Sequence, residues 1–232
     1  MSNLLIVIPA YNEEKNIERV AEKLISCYPQ FDYLIVNDGS HDETAAVCRR
    51  RGYRMADLPV NLGLAGAFQT GLKYAYTHGY EYALQFDGDG QHLPQYIRPM
   101  LDKINEGYDI VIASRYLAEK KPASVRMLGS NLIQAALKLT TGVTIHDPTS
   151  GMRLFNRSMI REFARGLNYG PEPDTLSWLI KNGARVAEVP ATMQERLAGA
   201  SYLTPFNAVR YMLRMLVSIL LIQNFRKREG SL

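Results

Sequence analysis

The chain is poor in the features that would place it in several large protein classes. Its 232 residues hold two cysteines, Cys27 and Cys48, both in stretches that read as helical and without metal-ligand spacing. A disulfide framework and a thiolate metal site are therefore excluded, and a reducing cytoplasm is the expected compartment. No apolar run approaches the roughly 20 residues that a bilayer-crossing helix needs. Leu4 to Ile8 gives way to Pro9 and Asn12-Glu13-Glu14, too short a run for a leader core and without its basic flank, so it is read as part of the fold. Internal repeats, low-complexity tracts and Pro/Gly-rich linkers are absent. So are the common glycine-rich phosphate motifs. No G-x-G-x-x-G follows the first strand, and a P-loop begun at Gly66 meets Leu72 and Lys73 where Lys and Ser/Thr are required. Gly66 and Gly71 read instead as helix-packing positions. An EF-hand begun at Asp87 fails as well, with His92 and Arg98 in place of the needed Gly and Glu.

What is present suits one sizeable α/β domain. Hydrophobic residues make up 47% of the chain, enough for a core of that size. The formal net charge is +4, which favours anionic partners without choosing among them. Arg196, Arg210, Arg214, Arg226, Lys227 and Arg228 concentrate that charge near the carboxy end, with little acid opposed to them.

Strands and helices alternate through the first half. Leu4 to Ile8 reads as a strand, Glu14 to Tyr28 as a helix with Ile17, Val20, Ala21, Leu24 and Ile25 on one face, and Tyr33 to Val36 as a second strand. Ser40, with Glu43 three residues later, predicts a capping box for the next helix. Further strands are expected near Tyr53 to Ala56, Tyr82 to Phe86 and Asp109 to Ala113, with helices over Gly66 to Thr77 and from Pro94 to Glu106. Beyond Tyr116 the pattern is less regular. It reads as a helix over Arg126 to Thr140, a strand over Met152 to Phe155, a helix over Thr175 to Lys181 and a strand over Arg185 to Val189. Such alternation predicts a mostly parallel sheet covered on both faces. Ligands of open α/β sheets gather at the carboxyl ends of strands. Pro9 to Glu13, Asn37 to Ser40, Asp87 to Gln91 and Ser114-Arg115 all fall at such ends, so four polar clusters should converge on one edge.

Asp87-Gly88-Asp89-Gly90-Gln91-His92 is the sharpest of the four. Two carboxylates at a strand end, on a tight glycine path, suit a hard cation shared with an anionic substrate. Taken alone, the same letters also describe a solvated Asp-Gly turn. Their company gives them a task, because a sugar nucleotide loses a diphosphate whose growing negative charge needs absorbing.

Pro9-Ala10-Tyr11-Asn12-Glu13-Glu14, Asn37-Asp38-Gly39-Ser40 with Asp42 and Thr44, Asn61-Leu62-Gly63, the Asp87 to His92 segment and Ser114-Arg115 together resemble family 2 glycosyltransferases of the GT-A fold. The branch they resemble contains dolichol-phosphate mannosyltransferase and the bacterial polyprenyl-phosphate glycosyltransferases. The resemblance implies an α/β, Rossmann-like nucleotide-sugar transferase over residues 1–203, with an amphipathic, basic helical segment over 204–232. It assigns Pro9, Tyr11, Glu13, Val36, Asp38 and Gly88 to the nucleotide sugar, and Asp87, Asp89 and Gln91 to Mg²⁺ or Mn²⁺. Arg126 and Ser130 match the family's R-x-x-x-S helix and imply contact with the acceptor phosphate, shared with Arg115. Asp147-Pro148-Thr149-Ser150-Gly151-Met152-Arg153 resembles its D-x-x-S/G-G-x-R segment, which places Asp147 and Arg153 near the acceptor. Glu195-Arg196 with Gly199 and Ser201 resembles the R-x-x-G-x-S loop, whose arginine meets the diphosphate. Tyr202 departs from the family, standing where many relatives carry lysine. His92 is read as structural, since Gln91 holds the matching ligand position.

The expected reaction is inverting, metal-dependent transfer of one sugar, from a UDP-sugar or from GDP-mannose, to undecaprenyl or dolichyl phosphate, giving a lipid-linked donor for cell-envelope glycans. Asp89, Arg115, Arg126, Arg153 and Arg196 are its expected catalytic residues. The Q-x-x-R-W motif of processive polymer synthases is missing, the one tryptophan being Trp178. Met215 to Phe225 is uncharged, and Phe206, Val209, Leu213, Leu216 and Leu220 follow helical spacing beside basic residues. This segment either covers the core or docks peripherally on the cytoplasmic face of the membrane. The expected partners are the nucleotide-sugar donor, the polyprenyl phosphate acceptor and a membrane surface, with a small membrane protein or a second copy as further candidates; nucleic acid is not among them. Two rival reactions remain. One is transfer to a saccharide hydroxyl, with Asp147 or Glu172 as base, and the other is nucleotidyl transfer to a sugar phosphate. A non-catalytic binding module is the remaining alternative.

Overall fold

Leu4, Ile6 and Ile8 point to one side of the first strand and Leu5 and Val7 to the other, and all five are fully buried. A strand apolar on both faces must lie inside a sheet covered on both sides. The computed structural model describes residues 3–117, 121, 125–165, 170–194 and 205–226, and this strand, β1 (Leu4–Ala10), lies inside its sheet. β2 (Asp32–Asn37) and β4 (Tyr82–Gln85) flank it in parallel, and β3 (Met55–Asp57) pairs outside β2. β6 (Arg153–Asn156) runs antiparallel between β4 and β5 (Ile110–Ser114), and β7 (Val186–Pro190) closes the far edge parallel to β5. The order is β3-β2-β1-β4-β6-β5-β7.

Two core layers sandwich the sheet. On one face, α1 (Ile17–Cys27), α2 (Thr44–Arg51) and α4 (Ile97–Ile104), the last entered through a 3-10 turn at Pro94–Tyr96, bury Ile17, Leu24, Val47, Ile97 and Met100. On the other, α3 (Gly63–Thr77), α6 (Arg157–Arg165) and α7 (Pro173–Lys181) bury Phe68, Leu72, Phe163 and Trp178. Phe68, Phe155 and Phe163 meet with ring centroids 5.4 to 5.6 Å apart. Gly71 serves packing, as its sequence context suggests: a Cβ there would lie 2.2 Å from a methyl of Val7. A third, smaller core joins α5 (Val125–Thr141) to α8 (Pro205–Val217) through Ile133, Leu137, Met215 and Ile219. α8 continues through a π turn at Ser218–Ile222 into the short α9 (Gln223–Phe225).

The expected mostly parallel sheet is present. α6 is an element that the sequence pattern did not reveal. The capping box at Ser40 does not form: α2 starts at Thr44, and the Ser40 hydroxyl accepts the Asn12 N–H at 2.9 Å. Asp42 takes the capping task instead, accepting the Thr44 N–H at 3.0 Å.

Candidate functional site

The strand order reverses at β1, whose two neighbours lead away in opposite directions, and the carboxyl ends of β1, β2 and β4 open onto that crevice. The loops after β1 and β2 are stitched together there. Asn12 takes a left-handed backbone (φ 56°), and its side-chain oxygen accepts the His41 N–H at 2.9 Å. The Thr44 hydroxyl accepts the Glu13 N–H at 2.9 Å, Asp42 accepts the Glu14 N–H at 3.1 Å, and Glu14 accepts the Glu43 N–H at 3.1 Å. Tyr11 stands 44% exposed at the rim, its ring 6.3 Å edge-on from His41.

Asp38 is buried and accepts the Leu62 N–H at 2.7 Å, which ties the Asn61-Leu62-Gly63 turn to the end of β2. Gly39 is required beside it. Its φ is +63°, and a Cβ there would lie 2.6 Å from the Asn61 nitrogen. Pro9 presents its carbonyl to the Gly88 N–H at 3.3 Å, joining β1 to the Asp87 loop. Val36 differs from the other residues expected to meet the nucleotide, because its side chain is fully buried against α3; it shapes the loop from beneath.

Asp87 and Asp89 stand in this crevice. The Asp87 N–H donates to Nδ1 of buried His92 at 2.9 Å, and Gln85 donates from Nε2 to Asp87 Oδ1 at 3.1 Å. His92 thus shapes the turn. Asp89 accepts the Gln91 N–H at 3.0 Å and is buried, whereas the Asp87 side chain is a third exposed. The Gln91 carbonyl accepts the Gln194 N–H at 2.9 Å, so the chain after β7 crosses to this loop. Among the described residues no cluster of three or more His, Cys, Asp or Glu could hold a metal ion. Two carboxylates and an amide nevertheless fit a hard cation that completes its coordination with water and substrate phosphate, as Mg²⁺ does.

The segment Asp147 to Arg153 is pinned from three sides. Arg115 grips Asp147 with both arms of its fork, Nε to Oδ2 at 2.6 Å and NH2 to Oδ1 at 2.8 Å, while Asp147 has no exposed surface. Glu188 accepts the His146 and Asp147 N–H groups at 2.7 and 2.8 Å. The Ser150 hydroxyl donates to the Ala113 carbonyl at 2.6 Å. Arg153, itself buried, donates to the carbonyls of Ser150 at 2.9 Å and Pro148 at 2.6 Å. This pinning brings Gly151 against the Asp87 carboxylate, where a Cβ would lie 2.6 Å from Oδ2.

The electrostatics follow from burial and partners. Desolvation pushes the Asp147 carboxyl up, but the Arg115 hydrogen bonds and charge outweigh it and hold the group below the ordinary carboxylate value. Desolvation lowers the Arg153 guanidinium, opposed by the charges of Glu172, Tyr211, Asp147 and Asp87. Glu172 accepts a hydrogen bond from the hydroxyl of half-buried Tyr211, whose own titration is pushed far up by desolvation and by that carboxylate. Neither Asp147 nor Glu172 stands as a free base.

Ser130 is buried on α5, and Lys121 reaches it, Nζ to the hydroxyl at 3.2 Å, with Gln134 Oε1 at 2.9 Å. Lys121 escaped the sequence reading because Glu119-Lys120-Lys121-Pro122 has no apolar period. Arg126 is in the first turn of α5, but its side chain lies outside the described residues, as do Glu195, Arg196, Gly199, Ser201 and Tyr202.

The family model for glycosyl transferase family 2 matches residues 5–163, which span the carboxyl ends of β1, β2, β4 and β5. The chain belongs to glycosyl transferase family 2. This membership makes it a glycosyltransferase and excludes the nucleotidyltransferase reading. It is 30% identical over 217 residues to polyprenol monophosphomannose synthase of Mycolicibacterium smegmatis, covering 88% of this chain and 82% of that one. It is 29% identical to the UDP-N-acetylglucosamine–dolichyl-phosphate N-acetylglucosaminyltransferase of Methanococcus voltae, covering 81% of this chain and 84% of the relative. Glucosyl-3-phosphoglycerate synthase of Mycobacterium tuberculosis, solved with Mn²⁺, UDP and phosphoglyceric acid, superposes with a TM-score of 0.71 at 21% identity, over 98% of this chain and 80% of the other. The fold of this family 2 chain is thus the GT-A fold.

Proposed function

We propose that this enzyme transfers one sugar from a nucleotide sugar, preferably UDP-linked, to the phosphate of a polyprenyl phosphate, with inversion at the anomeric carbon. The names of its relatives support a polyprenyl phosphate acceptor. The observation that carries the reading is the meeting of two unlike half-sites at one sheet edge. The crevice with Tyr11, Asp38, Asp87 and Asp89 suits a nucleoside diphosphate, and the adjoining Arg115 and Ser130 suit an anionic acceptor.

On the donor side, Tyr11 offers an exposed ring to the base and Asp38 a fixed carboxylate to the nucleoside. Asp87, Asp89 and Gln91 are the residues that would hold a divalent cation, Mg²⁺ or Mn²⁺, and the cation would neutralise charge on the departing diphosphate. Arg196, which follows the Gln194 crossing in sequence, adds positive charge there. On the acceptor side, Arg115 is held rigid by Asp147 yet keeps 23% of its side chain exposed. Arg126 and Ser130 share the acceptor phosphate with it. Arg153, whose donors go to backbone carbonyls, acts by fixing the loop.

In the reaction, an acceptor phosphate oxygen attacks the anomeric carbon from the face opposite the diphosphate. The bond to the diphosphate breaks, and the nucleoside diphosphate leaves with the electron pair. A phosphate monoester with a second pKa of about 6 is already ionised at neutral pH, so no carboxylate base is required. Positioning of the two reactants supplies the catalysis. The exposed side of residues 204–232 seats the catalytic unit, residues 1–203, on the cytoplasmic membrane face near the acceptor, with a small membrane protein or a second copy as further partners.

Asp89→Ala tests the donor side. Transfer should fall by about 100-fold or more, and a chelator should abolish wild-type transfer. Undiminished turnover in chelator would contradict the metal assignment.

A further inference from the structure

Lys121 differs from the neighbouring cations in what it touches. Arg115 is closed onto Asp147, and Arg153 is buried on two carbonyls. Lys121 instead spends its hydrogen bonds on neutral groups, the Ser130 hydroxyl at 3.2 Å and the Gln134 amide oxygen at 2.9 Å. It makes no ion pair among the described residues. The nearby acids are already engaged, Asp147 by Arg115 and Glu188 by the N–H groups of His146 and Asp147. Tyr116 lies between the two cations, with Arg115 Cζ 5.2 Å and Lys121 Nζ 5.5 Å from its ring centroid.

We propose that Lys121 is an acceptor-binding residue, its ammonium leaving Ser130 and Gln134 to meet the phosphate of the acceptor lipid. The proposal rests on the polyprenyl phosphate reading above. An anionic oxygen outcompetes a hydroxyl or an amide for an ammonium donor, because the charge-assisted bond is roughly twice as strong. Burial already holds this ammonium below its ordinary lysine value, the Arg115 charge acts the same way, and the charges of Asp147 and Glu188 oppose them. A partly desolvated cation facing another cation gains from an arriving anion. Ser130, freed of Nζ, then turns its own hydroxyl donor to the same phosphate.

The test compares wild type, Lys121→Met and Lys121→Arg. Initial rates are measured against polyprenyl phosphate at saturating donor, and calorimetric titrations use a short-chain prenyl phosphate and the matching prenol. Lys121→Met should raise the acceptor KM and weaken prenyl phosphate binding by about 10-fold or more. The donor KM and the prenol affinity should stay unchanged, and Lys121→Arg should restore most of the loss. Equal prenyl phosphate affinity in wild type and Lys121→Met would overturn the role of Lys121 while leaving the reaction standing. Equal loss of donor and acceptor affinity, unrescued by arginine, would reduce Lys121 to a strut and overturn it too. Wild type that neither binds prenyl phosphate in preference to prenol nor transfers sugar to it would overturn the underlying reading, and this proposal with it.

Discussion

Asp147 has no exposed surface and yet carries charge, because Arg115 meets it along both oxygens and adds its own backbone N–H at 3.1 Å. Removing that charge alone strands the guanidinium. Asp147→Asn should cost about 3 kcal/mol of stability, the usual penalty for breaking a buried pair, and chemical denaturation would measure it. The pH dependence has a definite sign. The native carboxyl titrates below its unfolded value of about 3.9, so the unfolded chain binds more protons in acid. The stabilisation is fully present above that value and is lost as pH falls through the lowered native one. Unfolding curves between pH 2 and pH 7, an interval chosen to bracket about 3.9, should show this slope in wild type and lack it in Asp147→Asn.

Among the elements, the loop before β6 does most to shape the site, and its effect runs through one missing side chain. Gly151 leaves room for the Asp87 carboxylate, and a methyl group 2.6 Å from Oδ2 would displace it. Gly151→Ala should lower kcat by about 100-fold, the scale of a 1 Å misplacement, with a melting temperature close to wild type. Strong inactivation without that displacement, seen in a crystal structure of the variant, would point elsewhere. The strands and the crevice were legible in sequence because two-faced apolar runs and the polar residues after them are local signals. The partner of Asp87 was not, since Gly151 lies 64 positions away and only the antiparallel pairing of β6 with β4 brings it near. Ser40 carried a capping-box signal that failed for a similar reason. A contact from the neighbouring loop, the Asn12 N–H, claimed its hydroxyl. α6 went unread because its two core residues, Ile160 and Phe163, are isolated among charges.

At the level of the whole molecule, the carboxy-terminal helix covers the core with one face and leaves apolar residues exposed on another. Ala208, Met215 and Ile219 face inward, and Ser218 donates to buried Asp174 at 2.7 Å, so α8 and the π turn belong to the packed body. Of the stripe read from the sequence, Val209, Leu213 and Leu220 are exposed, Leu216 packs partly against the third core, and the Phe206 side chain lies outside the described residues; Val217, Leu221 and Phe225 join the exposed set, with Arg210 and Arg214 exposed nearby. No helix among the described residues is long and apolar enough to cross a membrane. An exposed apolar stripe edged with arginine suits the surface of an anionic bilayer. Leu213→Glu with Leu221→Glu should abolish co-sedimentation with anionic vesicles and slow transfer to a vesicle-borne acceptor. Transfer to a detergent-dispersed short-chain acceptor should remain near wild type, and equal loss in both assays would contradict surface docking.

The central claim is that one sheet edge joins a nucleotide sugar to a lipid phosphate. Its most direct test is to incubate the purified chain with radiolabelled UDP-sugars and GDP-mannose, divalent cation and polyprenyl phosphate, then extract the lipid and weigh the product. The predicted result is label in the organic phase with one donor, at the mass of the polyprenyl phosphate plus a single sugar. Label confined to a water-soluble saccharide, with the lipid mass unchanged, would contradict it.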